Sequence, residues 1–229
     1  MIARLVGSEM CIRDRPGISH GPVFRFLHGE VEVVQYEVRE EDYDSEIERF
    51  IEALKETENQ IKQVRKDVSN TLGEREAAIF DAHLLVLEDK ALIDDVINEI
   101  KLSGDNVEQC VHRVTARYLD FFNQLEDEYL RERAADLKDI ARRLLMNLVG
   151  ATAGGTAFLG EPRILVSEDL SPSDTASLDR SKILGIATDS GGRTSHAVIM
   201  ARASSVPAVV GLRGLNEKLD EGDHLLIDG

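Results

Sequence analysis

The feature that most limits the possible folds is a long segment, from Asp44 to Leu148, that contains no proline and only two glycines. Its apolar residues recur every three or four positions, which places them along one face of a helix. Helices with one apolar face are stable when they pack together, and short connections make neighbouring helices antiparallel. The segment therefore predicts an all-α helical bundle.

Capping residues mark where individual helices of this bundle are expected to begin and end. Ser45 and Glu48 form a capping-box pair, which predicts the start of the first helix, and Gly73 predicts its end. Asp105 with Glu108 predicts the start of a later helix in the same way. These signals divide the segment into several separate helices.

Both flanks of the helical block have a different pattern, with short runs of β-branched residues separated by glycine, proline and serine. Such runs predict the strands of an α/β domain. The runs lie at residues 31–38, 164–166, 183–187, 206–210 and 225–227. We therefore expect an α/β domain formed by residues 1–40 and 151–229, with an all-α domain, residues 41–150, inserted into it.

One segment near the start does not fit this organisation. Residues 3–15 are polar, of mixed charge and without a clear period. We treat these residues as a suspected non-native leader, so no functional argument uses them. The leader also puts an edge strand of the α/β domain in doubt.

Charge and cysteine content exclude several classes of protein. Acidic residues outnumber basic ones by 43 to 27, and the net charge of −16 would repel nucleic acid and anionic lipid while favouring a partner with a basic face. Cys11 and Cys110 have neither a CxxC nor a histidine-rich context, so no disulfide framework and no zinc site is predicted. No apolar run approaches the roughly 20 residues that span a bilayer. We expect a cytoplasmic protein.

The chemistry is concentrated in one segment, from Thr188 to Arg202. A predicted strand ends near Thr188, Gly191 and Gly192 form a turn, and helical periodicity begins at Ser195. Paired glycines allow the backbone to come close to a ligand, and the unpaired N–H groups at a helix start attract anions. This succession of strand, turn and helix predicts a phosphate-binding loop.

His196 would stand in the first turn of that helix, beside the loop. Arg193 can bind phosphate oxygens as a fixed fork, and Thr194 and Ser195 can donate hydroxyl hydrogen bonds. A neutral imidazole there can act as the nucleophile in phosphoryl transfer, which mainly requires alignment and charge stabilisation. Alternatively, the glycines only turn the chain and His196 is an ordinary first-turn residue. The isolated motif does not decide between these alternatives.

The segment GGRTSHAVIMARASSVPAVVG, residues 191–211, resembles the phosphohistidine signature of the phosphoenolpyruvate-utilising family. Three further segments resemble the amino-terminal half of the Enzyme I branch of that family: Pro16-Gly17-Ile18 with Gly21, GEREAAIFDAHLLVLED at 73–89 and DEYLRERAADLKDIARRLL at 127–145. Nothing in the chain resembles the ATP-grasp region of other members. The resemblance implies an α/β phosphohistidine swivelling domain with an inserted helical domain.

The resemblance also assigns roles to the residues that match the family's motifs. It implies that His196 is phosphorylated on Nε2, that Thr175 contacts the imidazole and that Arg193 takes part in catalysis. The implied phosphate-binding residues are Gly191, Gly192, Thr194 and Ser195. Without the resemblance, Thr175 is better explained as a helix-start residue.

A further implication is that the helical domain docks HPr, the phosphocarrier protein that accepts the phosphoryl group on its own histidine. The implied contact residues combine a small apolar patch with an acidic rim suited to a basic partner. They are Glu74, Ala78, Asp81, Leu85, Val86, Asp89, Leu92 and Arg133. Without the resemblance, Leu85, Val86 and Leu92 are better explained as core residues of the bundle.

The activity implied is that of a phosphoenolpyruvate-protein phosphotransferase in bacterial sugar uptake. In that family a (β/α)₈ barrel binds phosphoenolpyruvate and Mg²⁺ and provides the dimer contact, and no such barrel is found in this chain. We therefore expect a monomer without cofactor or metal that exchanges phosphoryl with HPr but cannot charge itself from phosphoenolpyruvate. The alternatives are a fragment of another member, such as a nitrogen-branch paralogue, and a non-catalytic acidic docking module.

Overall fold

The computed structural model describes residues 2–6, 12–15, 17–26, 31, 33–125, 128–150, 161–172, 174, 178–192, 195, 197–199, 201 and 206–228. For residues 2–6, 12–15, 72, 123, 128–133 and 180 it describes the backbone alone. The chain divides into two compact units, one formed by Met1–Gly29 with Gly154–Gly229 and the other by Glu30–Ala153. The first unit contains the sheet and the second the helical bundle, which confirms the predicted fold class.

Within the described part of the chain, a seven-stranded sheet forms the α/β unit. The strands are β1 Ile2–Val6, β2 Ile12–Arg15, β3 Ile18–Arg25, β4 Arg163–Ser167, β5 Ile183–Thr188, β6 Ala208–Val210 and β7 His224–Asp228. Their order is β1-β7-β3-β4-β5-β6-β2. Strands β3 to β6 run parallel, whereas β7 is antiparallel to β3 and β2 is antiparallel to β6. Strands β4 to β7 lie where the β-branched runs predict them, and β3 is not among the predicted strands.

The suspected leader takes part in this sheet. β1 pairs in parallel with β7 and β2 pairs antiparallel with β6, so these two strands form its edges. The expectation that residues 3–15 leave an edge strand in doubt is therefore wrong. An edge strand is paired on one side only, so its backbone can join the ladder without a regular apolar pattern.

The central strands are buried on both faces of the sheet. Leu165 and Ile186 belong to one apolar cluster, while their neighbours Ile164 and Ala187 belong to a second. Successive residues of a strand point to opposite faces, so burial of this kind requires an apolar layer on each side. The first cluster includes Ala197, which fastens the chain to the sheet a few residues after the Gly-Gly turn.

The helical unit is formed, among the described residues, by α1 Tyr43–Leu72, α2 Glu74–Ala77, α3 Ile79–Leu87, α4 Lys90–Ser103, α5 Val107–Asn123 and α6 Glu128–Leu148. Their shared core includes Phe50, Ile100, Val111, Val114 and Leu144. Helix α5 packs against α4 and α6, and α1 packs against α3 and α6, as expected for a bundle. No helix in the described ranges is long and apolar enough to cross a membrane.

The predicted start of α1 is wrong, and its predicted end is confirmed. The helix begins at Tyr43, directly after a short 3-10 turn, so Ser45 and Glu48 lie inside it and form no capping box. The preceding turn already holds the chain in a helical direction, which removes the need for a capping side chain. Gly73 ends the helix with a φ of 109°, a conformation that favours glycine.

The start of α5 is capped by a side chain of helix α1. The predicted cap, Asp105 with Glu108, is wrong, because α5 begins at Val107 and both carboxylates accept hydrogen bonds from arginines. The Val107 N–H instead donates to the Glu46 carboxylate of α1, at 2.9 Å. Arg49 bridges Glu46 and Glu108 at 2.7 and 2.5 Å. This cluster joins the beginnings of α1 and α5.

Residues 31 and 33–38, the described part of the predicted first strand, do not form a strand. The first valines of the segment pack against the core of the helical unit, and the Asn106 side chain bonds to the backbone at Val34 and Tyr36, at 3.0 Å each. The sheet-like pairing described for this segment is an isolated bridge at Glu37. A run of β-branched residues favours any extended, half-buried surface, so this pattern did not distinguish a strand from a segment covering helices.

Replacing Glu46 with alanine should destabilise the helical unit by about 2 kcal/mol, because the buried Val107 N–H loses its acceptor and Arg49 loses a charged partner. Urea unfolding followed by far-UV circular dichroism measures this change. Glu52→Ala, at an exposed position of the same helix, is the matched control and should change stability by less than about 0.5 kcal/mol. Equal unfolding midpoints for the two variants would contradict this role of Glu46.

Candidate functional site

The loop that follows β5 is held by backbone hydrogen bonds to the last residue of β4 and the residue after it. The Asp189 N–H donates to the Ser167 carbonyl at 3.1 Å, and the Ser190 N–H donates to the Glu168 carbonyl at 2.7 Å. The Thr188 hydroxyl donates to the Ser190 carbonyl at 2.7 Å. The chain therefore leaves the carboxyl end of β5 in a defined direction, at the edge where parallel sheets commonly bind ligands.

The Asp189 side chain adds a second attachment, to the segment after β6. Its carboxylate accepts the Leu215 N–H at 2.5 Å, the Asn216 N–H at 3.0 Å and the Asn216 side-chain amide at 3.2 Å. Its carbonyl accepts the N–H of Arg213, which has a positive φ of 54°. The sequence assigned no role to Asp189, although a carboxylate two residues before a Gly-Gly turn was a usable signal.

The Gly-Gly turn and the helix start have the predicted arrangement. Gly191 has a φ of 99°, and a Cβ atom there would lie 3.0 Å from the Ser195 Oγ. The N–H of Ser195 donates to the Gly192 carbonyl, and the Ile199 N–H donates to the Ser195 carbonyl as in an α-helix. Gly191 therefore permits a close approach of Ser195 that a larger residue would prevent.

Three predicted phosphate-binding residues, Gly191, Gly192 and Ser195, lie together in this turn. The Ser195 Oγ is buried and has no hydrogen-bond partner among the described residues. The other predicted residues of the site lie outside the described residues: Thr175, Arg193, Thr194 and His196. Their roles, and the predicted phosphate contact of Ser195, stay predictions.

The segment before Thr175 begins a helical turn. The Ser171 hydroxyl accepts the Asp174 N–H at 3.1 Å, and the Asp174 carboxylate accepts the Ser171 N–H at 3.0 Å. This reciprocal pair is a capping box, with Pro172 in the first helical position. The sequence placed a helix start near Thr175, and the capping pair that forms it lies at the preceding residues.

Seven of the eight predicted docking residues lie on or directly beside α2, α3 and the start of α4, whereas Arg133 lies on α6. Ala78, Asp81 and Asp89 are exposed, and Leu85 is 71% exposed. The core interpretation of Leu85 is therefore wrong. Glu74 is exposed as well, Val86 is half-buried, and the side chain of Arg133 lies outside the described side chains.

Leu92 has a different environment, because it is half-buried and packs against the core of the bundle. Asp89 is exposed but also has a structural function. Its carboxylate accepts the Ala91 N–H at 2.8 Å, which makes it the N-cap of α4. The exposed part of this face is thus an apolar side chain, Leu85, surrounded by acidic residues.

Two of these acids are paired with an arginine. Arg65 contacts Asp81 at 2.6 Å and Glu74 at 3.3 Å. The hydrogen bond from Arg65 is the largest cause of a lowered pKa at Asp81, so that carboxylate is ionised at neutral pH.

The opposite side of α3 is anchored by a buried histidine, His83. The His83 Nε2 lies 3.2 Å from an oxygen of Asp136 on α6, and its Nδ1 lies 3.9 Å from one of Asp139. The Phe80 ring meets the imidazole edge to face. These contacts hold α3 against α6 and so orient its exposed side.

No group of three or more histidine, cysteine, aspartate or glutamate side chains in the described part of the chain could hold a metal ion.

Comparison with protein families adds to this geometry. A family model described as PEP-utilising enzyme, N-terminal, matches residues 12–133, and one described as PEP-utilising enzyme, mobile domain, matches residues 159–229. The chain belongs to the PEP-utilising enzymes. The first model covers β2, β3 and the helices from α1 into the first part of α6, and the second covers β4 to β7 with the Gly-Gly turn.

Curated PEP-utilising enzymes give the same result. A phosphoenolpyruvate-protein phosphotransferase of Listeria monocytogenes is 42% identical over 188 residues, covering 82% of this chain and 33% of that protein. One from Priestia megaterium is 37% identical over 213 residues, covering 93% of this chain and 37% of that protein. The chain thus spans about a third of the length of the curated relatives it matches.

Solved structures of PEP-utilising enzymes share the fold. The solution structure of an Enzyme I protein matches with a TM-score of 0.74 and 36% identity, covering 95% of this chain and 88% of that one. The N-terminal domain of a nitrogen Enzyme 1 matches with a TM-score of 0.63 and 28% identity, covering 96% and 89%.

Replacing Gly191 with alanine should destabilise the α/β unit by about 1–3 kcal/mol, because its φ favours glycine and the new Cβ would press on Ser195. Amide hydrogen exchange of β5 and β6 measures the effect within that unit. Gly192→Ala is the matched control, since no atom lies within 4 Å of the position that its new methyl group would take and its φ lies outside the left-handed region. Equal exchange rates in the two variants would show that Gly191 is not required.

Proposed function

We propose that this chain carries a phosphoryl group on His196 and exchanges it with the histidine of HPr, within a phosphoenolpyruvate-dependent system for bacterial sugar uptake. The single observation that supports this most is the Gly191-Gly192 turn between the end of β5 and a helix start, with His196 four residues after Gly192 in the sequence. Curated relatives that share this region are named phosphoenolpyruvate-protein phosphotransferase.

The proposed reaction is a direct transfer between two imidazoles. The Nε2 lone pair of His196 attacks the phosphorus of the phosphohistidine on HPr. A new N–P bond forms as the N–P bond on HPr breaks, and the electron pair of that bond returns to the HPr imidazole. The reverse sequence delivers the group to HPr, and neither direction needs a general base when the attacking imidazole is neutral.

The remaining predicted residues have roles that fit this transfer. Arg193 would bind the phosphoryl oxygens as a planar fork, and Thr194 and the loop amides would donate further hydrogen bonds. Thr175 would hold the other ring nitrogen and so keep Nε2 free to react. In the full-length relatives, phosphoenolpyruvate with Mg²⁺ would supply the phosphoryl group.

For docking, the proposed surface is the exposed side of α2, α3 and the start of α4. Leu85 offers an apolar centre, and Glu74, Asp81 and Asp89 surround it with negative charge. A basic partner face with a small apolar patch complements such a surface. The His83 contacts behind α3 would keep this surface in a constant orientation.

A nitrogen-branch member is a second candidate, because a nitrogen Enzyme 1 domain shares the fold. Higher identity and TM-score with the other Enzyme I structure favour the first candidate. Titration of the chain with the carrier proteins of the two branches separates them, since the correct carrier should bind more tightly.

Incubation with phosphorylated HPr should add one phosphoryl group to this chain, seen as an increase in intact mass that disappears after acid treatment. His196→Ala should abolish the addition, because the nucleophile is lost. His112→Ala, at an exposed histidine of the helical unit, is the control and should retain it. Equal labelling of the His196→Ala variant would overturn the assignment, and absence of labelling in every form would favour a non-catalytic docking module.

Reversing the charge at Glu74 with Glu74→Lys should weaken HPr binding by about 3- to 10-fold at low ionic strength, with a smaller effect as salt is added. Asp89→Ser should act in the same direction, and it preserves the N-cap of α4 because serine also caps helices. Isothermal titration calorimetry measures both. Glu52→Lys on α1 is the control, and no loss of affinity at Glu74 or Asp89 relative to it would count against this surface.

A further inference from the structure

Arg65 occupies the acidic edge of the proposed docking surface from within the chain itself. Its Nε donates to Asp81 Oδ1 at 2.6 Å, and its Nη2 donates to Asp81 Oδ2 at 3.2 Å and to Glu74 Oε2 at 3.3 Å. Two parallel bonds between a guanidinium and a carboxylate form a fork, the strongest geometry for such a pair. One arginine of α1 therefore binds acids of both α2 and α3.

The three side chains differ in their access to solvent. Arg65 is 31% exposed, Asp81 is 51% exposed and Glu74 is 73% exposed. The two acids therefore stand further out than the arginine that binds them. Ser69 also donates to Glu74, on the oxygen that Arg65 does not contact. A partner would reach the carboxylates first and the guanidinium behind them.

We propose that Arg65 is an internal counter-ion that weakens and tunes the docking of a basic phosphocarrier on this face. The inference rests on the proposed function, because it concerns the same docking surface. Arg65 uses one acceptor position on each oxygen of Asp81, and a basic side chain of the partner must share or replace those bonds. Its charge also cancels much of the field that Asp81 and Glu74 project into solvent.

Partial cancellation of charge suits a carrier that must leave after each transfer. Electrostatic attraction between complementary faces mainly raises the association rate, and product release limits turnover in many enzymes. A surface with all of its acids unpaired would attract the carrier in both its phosphorylated and unphosphorylated forms. Arg65 reduces that attraction without removing the acids.

The test uses the whole chain and unphosphorylated HPr as the probe, with stopped-flow kinetics and calorimetry at low and high ionic strength. Arg65→Gln should bind about 3- to 10-fold more tightly at low ionic strength, through faster association and slower dissociation, and the gain should vanish at high salt. Arg65→Lys retains the charge and should bind like the parent chain. Arg65→Gln combined with Asp81→Asn should also return to about the parent affinity.

Arg39→Gln is the matched control. It removes the same charge from an exposed ion pair near the start of α1, about 30 Å along the helix from Arg65, which is about three screening lengths at 0.1 M salt and about one at 0.01 M. It should change HPr affinity far less than Arg65→Gln does at low ionic strength. Unchanged circular dichroism of every variant would confirm that the fold is intact.

Equal or weaker binding by Arg65→Gln would overturn the inference and assign Arg65 a supporting role for the acids. A gain by Arg65→Lys equal to that of Arg65→Gln would also overturn it, because charge would not be the cause. If the parent binds HPr and Glu74→Lys weakens that binding, these outcomes leave the proposed docking surface intact. If the parent chain does not bind HPr at all, the proposed docking and the role of Arg65 both fail.

Discussion

The loop at the candidate site depends on one carboxylate, that of Asp189. This carboxylate accepts hydrogen bonds from three N–H groups of Leu215 and Asn216, and the backbone N–H of Asp189 donates to Ser167 at the end of β4. Glycine has more backbone freedom than any other residue, so a Gly-Gly turn alone would be poorly ordered. Asp189 gives the turn a fixed starting point, and Ala197 fastens the chain to the sheet just beyond it. The glycines therefore allow the backbone at Gly191 to lie close to Ser195, while the turn as a whole stays ordered.

Helix α1 of the bundle carries an ion cluster near each end, and burial gives the clusters different consequences. Near its start, Glu46 is almost fully buried. The Val107 N–H and the Glu46 carboxylate are both removed from water there, and their hydrogen bond, together with the ion pair to Arg49, replaces the lost hydration. Near its end, the acids paired with Arg65 are exposed, and pairs of that kind contribute little to stability. The first cluster therefore supports the fold, whereas the second changes the electric field of a surface.

Several elements could be predicted because their signals are local. The periodicity of the helical block, the end of α1 at Gly73 and the strands before and after the Gly-Gly turn follow from spacing and backbone preference. Errors arose where a distant residue replaced a local one. Glu46 caps α5 in place of Asp105, and Asn106 binds Val34 and Tyr36 in the run of residues for which a strand was predicted. A short window of sequence around Val107 does not include Glu46, and one around Val34 and Tyr36 does not include Asn106.

By itself, the sequence determined the two kinds of domain, the position of the Gly-Gly motif and the acidic character of the proposed docking face, because periodicity, glycine pairs and charge are properties of neighbouring residues. Only the tertiary structure decided which groups meet: Asp189 with the segment after β6, Leu85 with solvent, and Arg65 with Asp81. Hydrogen bonds and ion pairs act over a few ångströms, so their partners are chosen by how the chain folds back on itself and not by distance along it.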